Sequence, residues 1–198
     1  MGGTTGERRR SGRAHAAIVD ATAALLREVG YPRLRVEAVA ARAGVGKTTI
    51  YRWWPGKPQL VIEALRTMVD PPRMEFTGDS RADVRALVTR VARTWTDPVV
   101  ADTLMGLAAD LGADTADDPD ARVALAGLLA PQRAADSAVL LSAAARGDLP
   151  HDVDVPLLLD VAFGTLLFRR LRGASDDVVD ELAGLIASAA PPRTAASD

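Results

Sequence analysis

The chain of 198 residues has a net charge of −2, with 48% hydrophobic and 25% charged residues, values typical of a globular protein with an apolar core. It contains no cysteine, which excludes a disulfide framework, a zinc–thiolate site and a cysteine nucleophile. No apolar run reaches the roughly 18 residues that a membrane span needs, and the charged, glycine-rich start is unlike a signal peptide. We therefore expect a cytoplasmic protein that does not contact a membrane.

The charge is unevenly distributed along the chain. Residues 1–70 contain 12 Lys and Arg against 6 Asp and Glu, whereas residues 71–198 contain 12 against 20. Because basic segments attract polyanions, this asymmetry predicts that only the first part of the chain meets one. A charged tail on a neutral body is the alternative, but residues 14–70 alone keep a positive balance.

Apolar residues recur with helical period almost throughout, and strand signals are weak, so the pattern predicts an all-α protein. The first helix is expected over residues 14–29, where Gly30 follows as a left-handed cap. Two short helices follow over residues 36–43 and 47–54. A fourth helix is expected over residues 57–69.

Two consecutive prolines, Pro71 and Pro72, mark the best domain boundary because proline cannot extend a helix. Beyond them the period predicts five or six longer helices. They are expected over residues 81–96, 98–111, 120–146 with an interruption at Pro131, and 155–171, with a last helix after Ser175 as its N-cap.

The segment 34–57 has the pattern of a helix-turn-helix, in which two short helices cross through a tight turn. Ala40 is small where the helices approach, and Gly44 suits a turn position with positive φ. With Ile50 facing inward, the helical period places Thr48 and Arg52 outward. The exposed face of the second helix therefore carries groups that can bond phosphates and base edges.

From residue 14 to residue 65 the sequence resembles the N-terminal domain of the TetR family of transcriptional regulators. The stretch 51–57, YRWWPGK, is similar to a branch of that family with tryptophans where many members have histidine and phenylalanine. The resemblance is carried by Gly30, Val39-Ala40, Ala43-Gly44-Val45, Ile50-Tyr51, Lys57 and Leu60.

The resemblance implies an all-α fold in which an N-terminal helix-turn-helix domain precedes a helical domain for effector binding and dimerisation. We expect a disordered basic tail at residues 1–13 and the DNA-binding domain at 14–70. The effector and dimerisation domain is expected at 71–190, followed by a disordered tail at 191–198.

The same resemblance assigns DNA contacts to the second short helix and its surroundings. Lys47, Thr48 and Tyr51 match positions that family members use at base edges. The predicted DNA-binding residues are Arg35, Lys47, Thr48, Thr49, Tyr51, Arg52, Trp53 and Lys57. The sequence departs from the family pattern at Arg35-Val36, where members often have a hydroxyl cap, and at Gly46, where they often have serine.

Two alternatives remain open at this segment. Tyr51 could pack on the core of its own domain, and Trp54 is more typical of a core residue than of a DNA contact. The stretch 44–49, GVGKTT, is similar to the end of a phosphate-binding loop. Position 41, however, is alanine where that loop needs glycine, and a helix rather than a strand precedes it.

The predicted effector pocket and dimer interface lie in the second domain. The helix over 155–171 is apolar nearly all round, and the last helix has an apolar stripe, so the pair suits a four-helix bundle with a second copy. The predicted pocket residues are Trp95, Leu104, Met105, Leu107, Phe163 and Leu167. The predicted interface residues are Leu158, Phe163, Leu166, Val178, Leu182, Leu185 and Ile186.

The sequence therefore predicts a homodimeric transcriptional regulator, a repressor by family habit, that an apolar or aromatic effector releases from a pseudo-palindromic operator in double-stranded DNA. A helical protein-interaction or ligand-binding module without specific DNA binding is the alternative. An enzyme is not predicted. His15 and His151 lack the context of a metal or catalytic site and are expected at the surface or in packing. No metal or other cofactor is expected.

Overall fold

The computed structural model describes residues 3–69, 76–112, 118–174 and 178–188, with side chains from residue 11 onward. These residues form helices and no strand, which confirms the predicted all-α fold class. None of the described helices is both long and apolar enough to cross a membrane. The helices are α1 (Gly3–Arg33), α2 (Val36–Ala43), α3 (Lys47–Tyr51), α4 (Lys57–Met68), α5 (Ser80–Thr96), α6 (Pro98–Gly112), α7 (Pro119–Ala145), α8 (Val155–Leu171) and α9 (Val179–Ala187).

The start of α1 differs from the sequence prediction. The helix begins at Gly3, so most of the tail expected at residues 1–13 is helical. Residues 3–13 contain three glycines, which disfavour a helix, but no proline to stop one, and several arginines, which are good helix formers. Near its other end α1 is interrupted at Gly30, whose φ of 73° and ψ of 166° are not helical. The tail expected at residues 191–198 lies outside the described residues.

Two later helices also differ from the prediction. α7 continues through Pro131, where an interruption was expected. A proline inside a helix removes one backbone hydrogen bond, and burial of Leu128 and Val139 on either side of it favours the continuous helix. The predicted N-cap Ser175 lies outside the described residues; α9 begins at Val179.

The described residues divide into two compact units. The N-terminal unit comprises residues 1–70 and 98–129, and the C-terminal unit comprises residues 71–97 and 130–198. α6 packs against α1 and α4, so it belongs to the N-terminal unit although it follows the predicted border at residue 70.

The core of the N-terminal unit forms where α2, α4 and α6 pack on α1. Ile18 and Leu26 of α1, Leu60 of α4 and Leu107 of α6 are fully buried in it. Burying a side chain of this size stabilises the folded state by about 1.5–3 kcal/mol. Because α2, α4 and α6 all pack on α1, α1 is the central helix of the unit.

In the C-terminal unit α5 packs against α8 and α9. The carboxylate of Asp79 caps the N-terminus of α5 by accepting bonds from the backbone N–H groups of Arg81 and Ala82. Within the unit Asp136 of α7 is fully buried and forms an ion pair with Arg90 of α5. The unit therefore joins its helices by a buried charge pair as well as by apolar packing.

Candidate DNA-binding interface

The turn between α2 and α3 has the backbone geometry that a helix-turn-helix requires. Gly44 adopts a left-handed conformation, with φ 67° and ψ 33°, as the sequence predicts. Its N–H donates to the carbonyl of Ala41, and the N–H of Val45 donates to the carbonyl of Ala40 over 3.0 Å. This pair of bonds ends α2 tightly and turns the chain into α3. Gly46 precedes α3 without a side-chain cap.

α3 has one buried face and one exposed face. Ile50 is 1% exposed and Trp54 is 6% exposed, so both belong to the core, as predicted. Thr48 is exposed, and the Tyr51 side chain is 48% exposed, so it does not pack mainly on the core of its own domain. Thr49 is half-buried on the flank.

Acidic partners hold two of the basic side chains near α3. The Lys47 ammonium donates to Glu37 Oε1 over 3.1 Å, and the backbone N–H of Glu37 together with Lys47 lowers the pKa of that carboxyl group. Arg42 forms two bonds to Glu28, at 2.7 and 2.8 Å, which join α2 to α1. Arg35 is exposed in extended backbone at the start of α2. These acidic partners are distant along the chain, so local sequence patterns do not reveal them.

The tryptophans after α3 pack against the first helix. The ring centroid of His15 lies 5.3 Å from that of Trp53 and 4.7 Å from that of Trp54. The Arg52 guanidinium lies over the Trp53 ring, 5.0 Å from its centroid. His15 is therefore a packing residue, as predicted, and it fixes the end of the recognition segment against α1.

Lys57, at the start of α4, lies over an aromatic ring. Its ammonium is 4.0 Å from the ring centroid of Tyr31, which is 2% exposed. Burial lowers the pKa of Lys57, and the Asp110 carboxylate partly opposes that shift. The Tyr31 hydroxyl donates to Asp110 Oδ2 over 2.6 Å, and burial, together with this bond, raises the pKa of Tyr31.

The structure does not place the six predicted pocket residues in one unit. Leu104 and Leu107 of α6 pack in the core of the N-terminal unit, because that face of α6 is turned toward α1. Trp95, Phe163 and Leu167 lie in the C-terminal unit, and Met105 is half-buried on α6 in the N-terminal unit.

Three of the predicted interface residues are buried within their own subunit. Leu166, Leu182 and Ile186 are at most 3% exposed within their own subunit. The helical period shows which side of a helix is apolar, but here α5 of the same chain covers that side of α8 and α9. Leu158, Phe163 and Val178 are half-buried, and Leu185 is 63% exposed.

A cavity of about 630 Å³ lies in the C-terminal unit, and it contains none of the predicted pocket residues. The cavity is lined by Gly78, Asp79, Ser80, Arg81, Val84, Ala143, Asp148, Leu149, Gly184, Ala187 and Ser188.

In the described part of the chain, no three His, Asp or Glu side chains are grouped as metal ligands would be.

The tight turn at Gly44 and the exposed hydroxyl and phenol groups of α3 define a helix-turn-helix DNA-binding protein. Comparison with known proteins agrees. Residues 18–64 match the model of the bacterial regulatory proteins of the tetR family, and residues 74–189 match a tetracyclin repressor-like C-terminal domain. The chain belongs to the TetR family of transcriptional regulators.

Two relatives illustrate the similarity. The HTH-type transcriptional regulator YdeS of Bacillus subtilis (strain 168) is 30% identical over 169 residues, which cover 84% of this chain and 82% of YdeS. The DNA-binding transcriptional repressor TetR of Mycobacteroides abscessus is 33% identical over 171 residues, which cover 83% and 86% of the two chains. These relatives are transcriptional regulators rather than enzymes, and release by an effector is typical of their family.

Solved structures give the same assignment. The TetR family transcription regulator SCO0332 superposes with a TM-score of 0.72 at 30% identity, covering 90% of this chain and 99% of its own. FadR from Bacillus subtilis, solved in complex with stearoyl-CoA, has a TM-score of 0.59 at 16% identity, covering 89% and 99% of the two chains. At that identity FadR shows a shared fold alone.

Proposed function

We propose that this regulator is a homodimeric repressor that inserts α3 into the major groove of a pseudo-palindromic operator. The observation that carries the proposal is the exposure of Thr48 and Tyr51 on a helix whose opposite face is fixed in the core by Ile50. A short helix with a rigid inner face and polar groups on its outer face suits direct contact with base edges.

The basic residues around α3 suit the phosphates on either side of the groove. Lys57 and Arg35 flank the recognition segment along the chain, and Arg52 lies on the outer face of its last turn. Lys47 is paired with Glu37 in the free protein, so its ammonium exchanges one anionic partner for another when DNA binds. Trp53 is half-buried between His15 and Arg52 and supports the helix more than it reaches outward.

A homodimer through α8 and α9 follows from apolar side chains that the subunit leaves uncovered. Leu157, Phe168 and Leu171 of α8 are each more than half exposed, and Val161 is half-buried between them at helical spacing. Leu185 of α9 is exposed as well. Exposed apolar residues in a continuous stripe are typical of a protein–protein interface. This stripe replaces the buried residues that the sequence analysis assigned to the interface.

Release from the operator is proposed to follow effector binding in the C-terminal unit. Trp95 is buried there, and its indole N–H has no hydrogen-bond partner in the described structure. A buried donor without an acceptor costs free energy, and a ligand oxygen would satisfy it. Phe163 and Leu167 are half-buried in the same unit and carry apolar side chains of the kind that an apolar or aromatic effector needs.

The test of the proposed function is DNA binding by Tyr51→Ala. The probe is a fluorescent duplex from the DNA upstream of the protein's own gene, titrated at several salt concentrations. We expect the variant to lose specific binding, whereas Phe76→Ala, which truncates a comparably exposed aromatic side chain in the C-terminal unit, keeps it. Unchanged affinity of Tyr51→Ala, or wild-type binding that is insensitive to salt, would contradict the proposal.

The test of the dimer is sedimentation of Phe168→Glu. A charge in an apolar stripe that the dimer would bury is unfavourable, so we expect this variant to sediment as a monomer at concentrations at which the wild type is a dimer. Leu141→Glu introduces the same charge at an exposed leucine of α7 and should leave the dimer intact. If Phe168→Glu remains a dimer, the stripe is not the interface.

A further inference from the structure

The environment of Lys57 is unusual for a residue that is expected to contact phosphate. Its ammonium lies 4.0 Å from the Tyr31 ring centroid, and among the described contacts it has neither a hydrogen bond nor an ion pair. A cation over an aromatic face is attracted by the ring without using its N–H donors. All three donors of Lys57 are therefore free for phosphate oxygens while the side chain is held in place.

Two contacts with α6 hold Tyr31, one at its hydroxyl and one at its ring. Its hydroxyl donates to Asp110 Oδ2 over 2.6 Å, and its ring lies against the backbone of Gly106. A Cβ atom at Gly106 would be 2.5 Å from Cδ1 of Tyr31, closer than any ordinary contact. The ring therefore has little room to move beneath the Lys57 ammonium.

Asp110 is a potential competitor for Lys57. Its carboxylate is near enough to affect the pKa of Lys57, yet the two groups form no ion pair. The Tyr31 hydroxyl already donates a short bond to this carboxylate, and a bond of that kind is among the stronger neutral-to-charged ones. The hydroxyl therefore holds the carboxylate at the edge of the ring, whereas the ammonium lies over its face.

We propose that Tyr31 is a positioning residue for the DNA-phosphate contact of Lys57: its ring holds the ammonium over its face, and its hydroxyl holds the Asp110 carboxylate at the edge of the ring, so that this carboxylate does not capture the ammonium as an ion pair. The inference rests on the proposed function of Lys57 as a phosphate contact. It goes beyond that function by assigning Tyr31 and Asp110, which lie off the recognition segment, a part in the affinity for DNA.

The decisive variant is Tyr31→Phe, which keeps the ring and removes the hydroxyl. Asp110 is then free to pair with Lys57 and draws it away from phosphate. We expect binding to a short duplex of unrelated sequence to weaken about threefold to tenfold at low salt, the fold-change that a surface interaction of this strength gives. An unrelated sequence is sufficient because phosphate contacts do not depend on the bases.

Two further variants separate positioning from a merely structural contact between α1 and α6. Adding Asp110→Asn to Tyr31→Phe removes the competing charge, so binding should recover to within about twofold of the wild type. In a Lys57→Ala background, Tyr31→Phe should have no further effect, because it acts through Lys57. Asp20→Asn, which removes one exposed carboxylate from α1, is the control for the change in net charge.

A DNA-independent readout is the NMR signal of the Lys57 side chain, which should move away from its ring-shifted position in Tyr31→Phe and return when Asp110→Asn is added. Equal weakening by Tyr31→Phe with and without Lys57, no recovery in the double variant, or an unmoved Lys57 signal would each overturn the inference. If Lys57→Ala alone leaves DNA binding unchanged, the proposed function of Lys57 fails as well. A weakened Lys57→Ala variant with an additive cycle refutes only the positioning role.

Discussion

Substitution of Gly106 by alanine is the sharpest test of how α6 joins the helix-turn-helix region. Gly106 lies in the middle of α6, and the Tyr31 ring of α1 occupies the space where its side chain would be. The added Cβ would be 2.5 Å from Cδ1 of Tyr31 and 3.2 Å from Cε1 and Cγ. The variant therefore inserts one methyl group into a contact that has no room for it.

The expected cost follows from two opposing effects. Alanine is better than glycine in a helix by about 0.8–1 kcal/mol, which favours the variant. Overpacking a tight core costs about 1–3 kcal/mol, and the upper end applies because Tyr31 is buried and its hydroxyl is bonded to Asp110. The net result is a loss of about 2 kcal/mol in the free energy of unfolding, or a fall in Tm of about 4–8 °C for a chain of this size.

Thermal unfolding followed by circular dichroism, at fixed protein concentration, measures this change. Gly127→Ala is the matched control: it is a mid-helix glycine in the same unit, and its nearest neighbour would be the Arg66 guanidinium at 3.5 Å. We expect Gly127→Ala to be stabilising by about 0.5–1 kcal/mol, because only the helix preference of alanine applies. An equal rise in Tm for both variants would show that α6 does not press on Tyr31 and would refute the packing described here.

Two buried carboxylates of the C-terminal unit, Asp136 and Asp83, give two further predictions. Asp136→Ala leaves Arg90 without its partner and should lower the free energy of unfolding by about 3–5 kcal/mol, measured by urea unfolding. Asp160→Ala breaks the more exposed pair with Arg133 and should lower it by less than about 1 kcal/mol. Similar losses in the two variants would contradict this difference in burial. The backbone N–H of Thr77 lowers the pKa of Asp83 in the folded protein. The carboxylate therefore stabilises the fold at pH values above the pKa of the unfolded state, about 3.9. This contribution is lost as the pH falls through the lower pKa of the folded state. The stability difference between wild type and Asp83→Asn should accordingly shrink between neutral pH and pH below about 4, and a constant difference would exclude this role.

Local signals predicted the helix-turn-helix closely. The bounds of α2 match the sequence analysis, and Gly44, Ile50 and Trp54 have the conformation or burial expected of them. α3 begins at Lys47 as predicted but ends at Tyr51 rather than at residue 54. These features depend on neighbours within a few positions along the chain. A left-handed glycine and an apolar face at helical spacing are set by local sterics and by the helical period, and both can be read without knowing the rest of the fold.

The placement of α6 could not be predicted in the same way. Its apolar face was assigned to an effector pocket, but Leu107 is part of the core around α1. The helical period shows that one face of a helix is buried, but it does not show which element buries that face. Here the deciding feature is the close contact between Gly106 and Tyr31, two residues whose proximity exists only once α6 has returned to α1.

The same limit applies to the predicted dimer interface. Leu182 and Leu185 belong to one apolar stripe in the sequence, yet α5 covers one and leaves the other exposed. An interface between copies needs side chains that the subunit itself has not used, so the stripe alone overestimates it. The proposed interface instead uses Leu157, Phe168 and Leu171, which are exposed in the single subunit and would be buried by a second molecule.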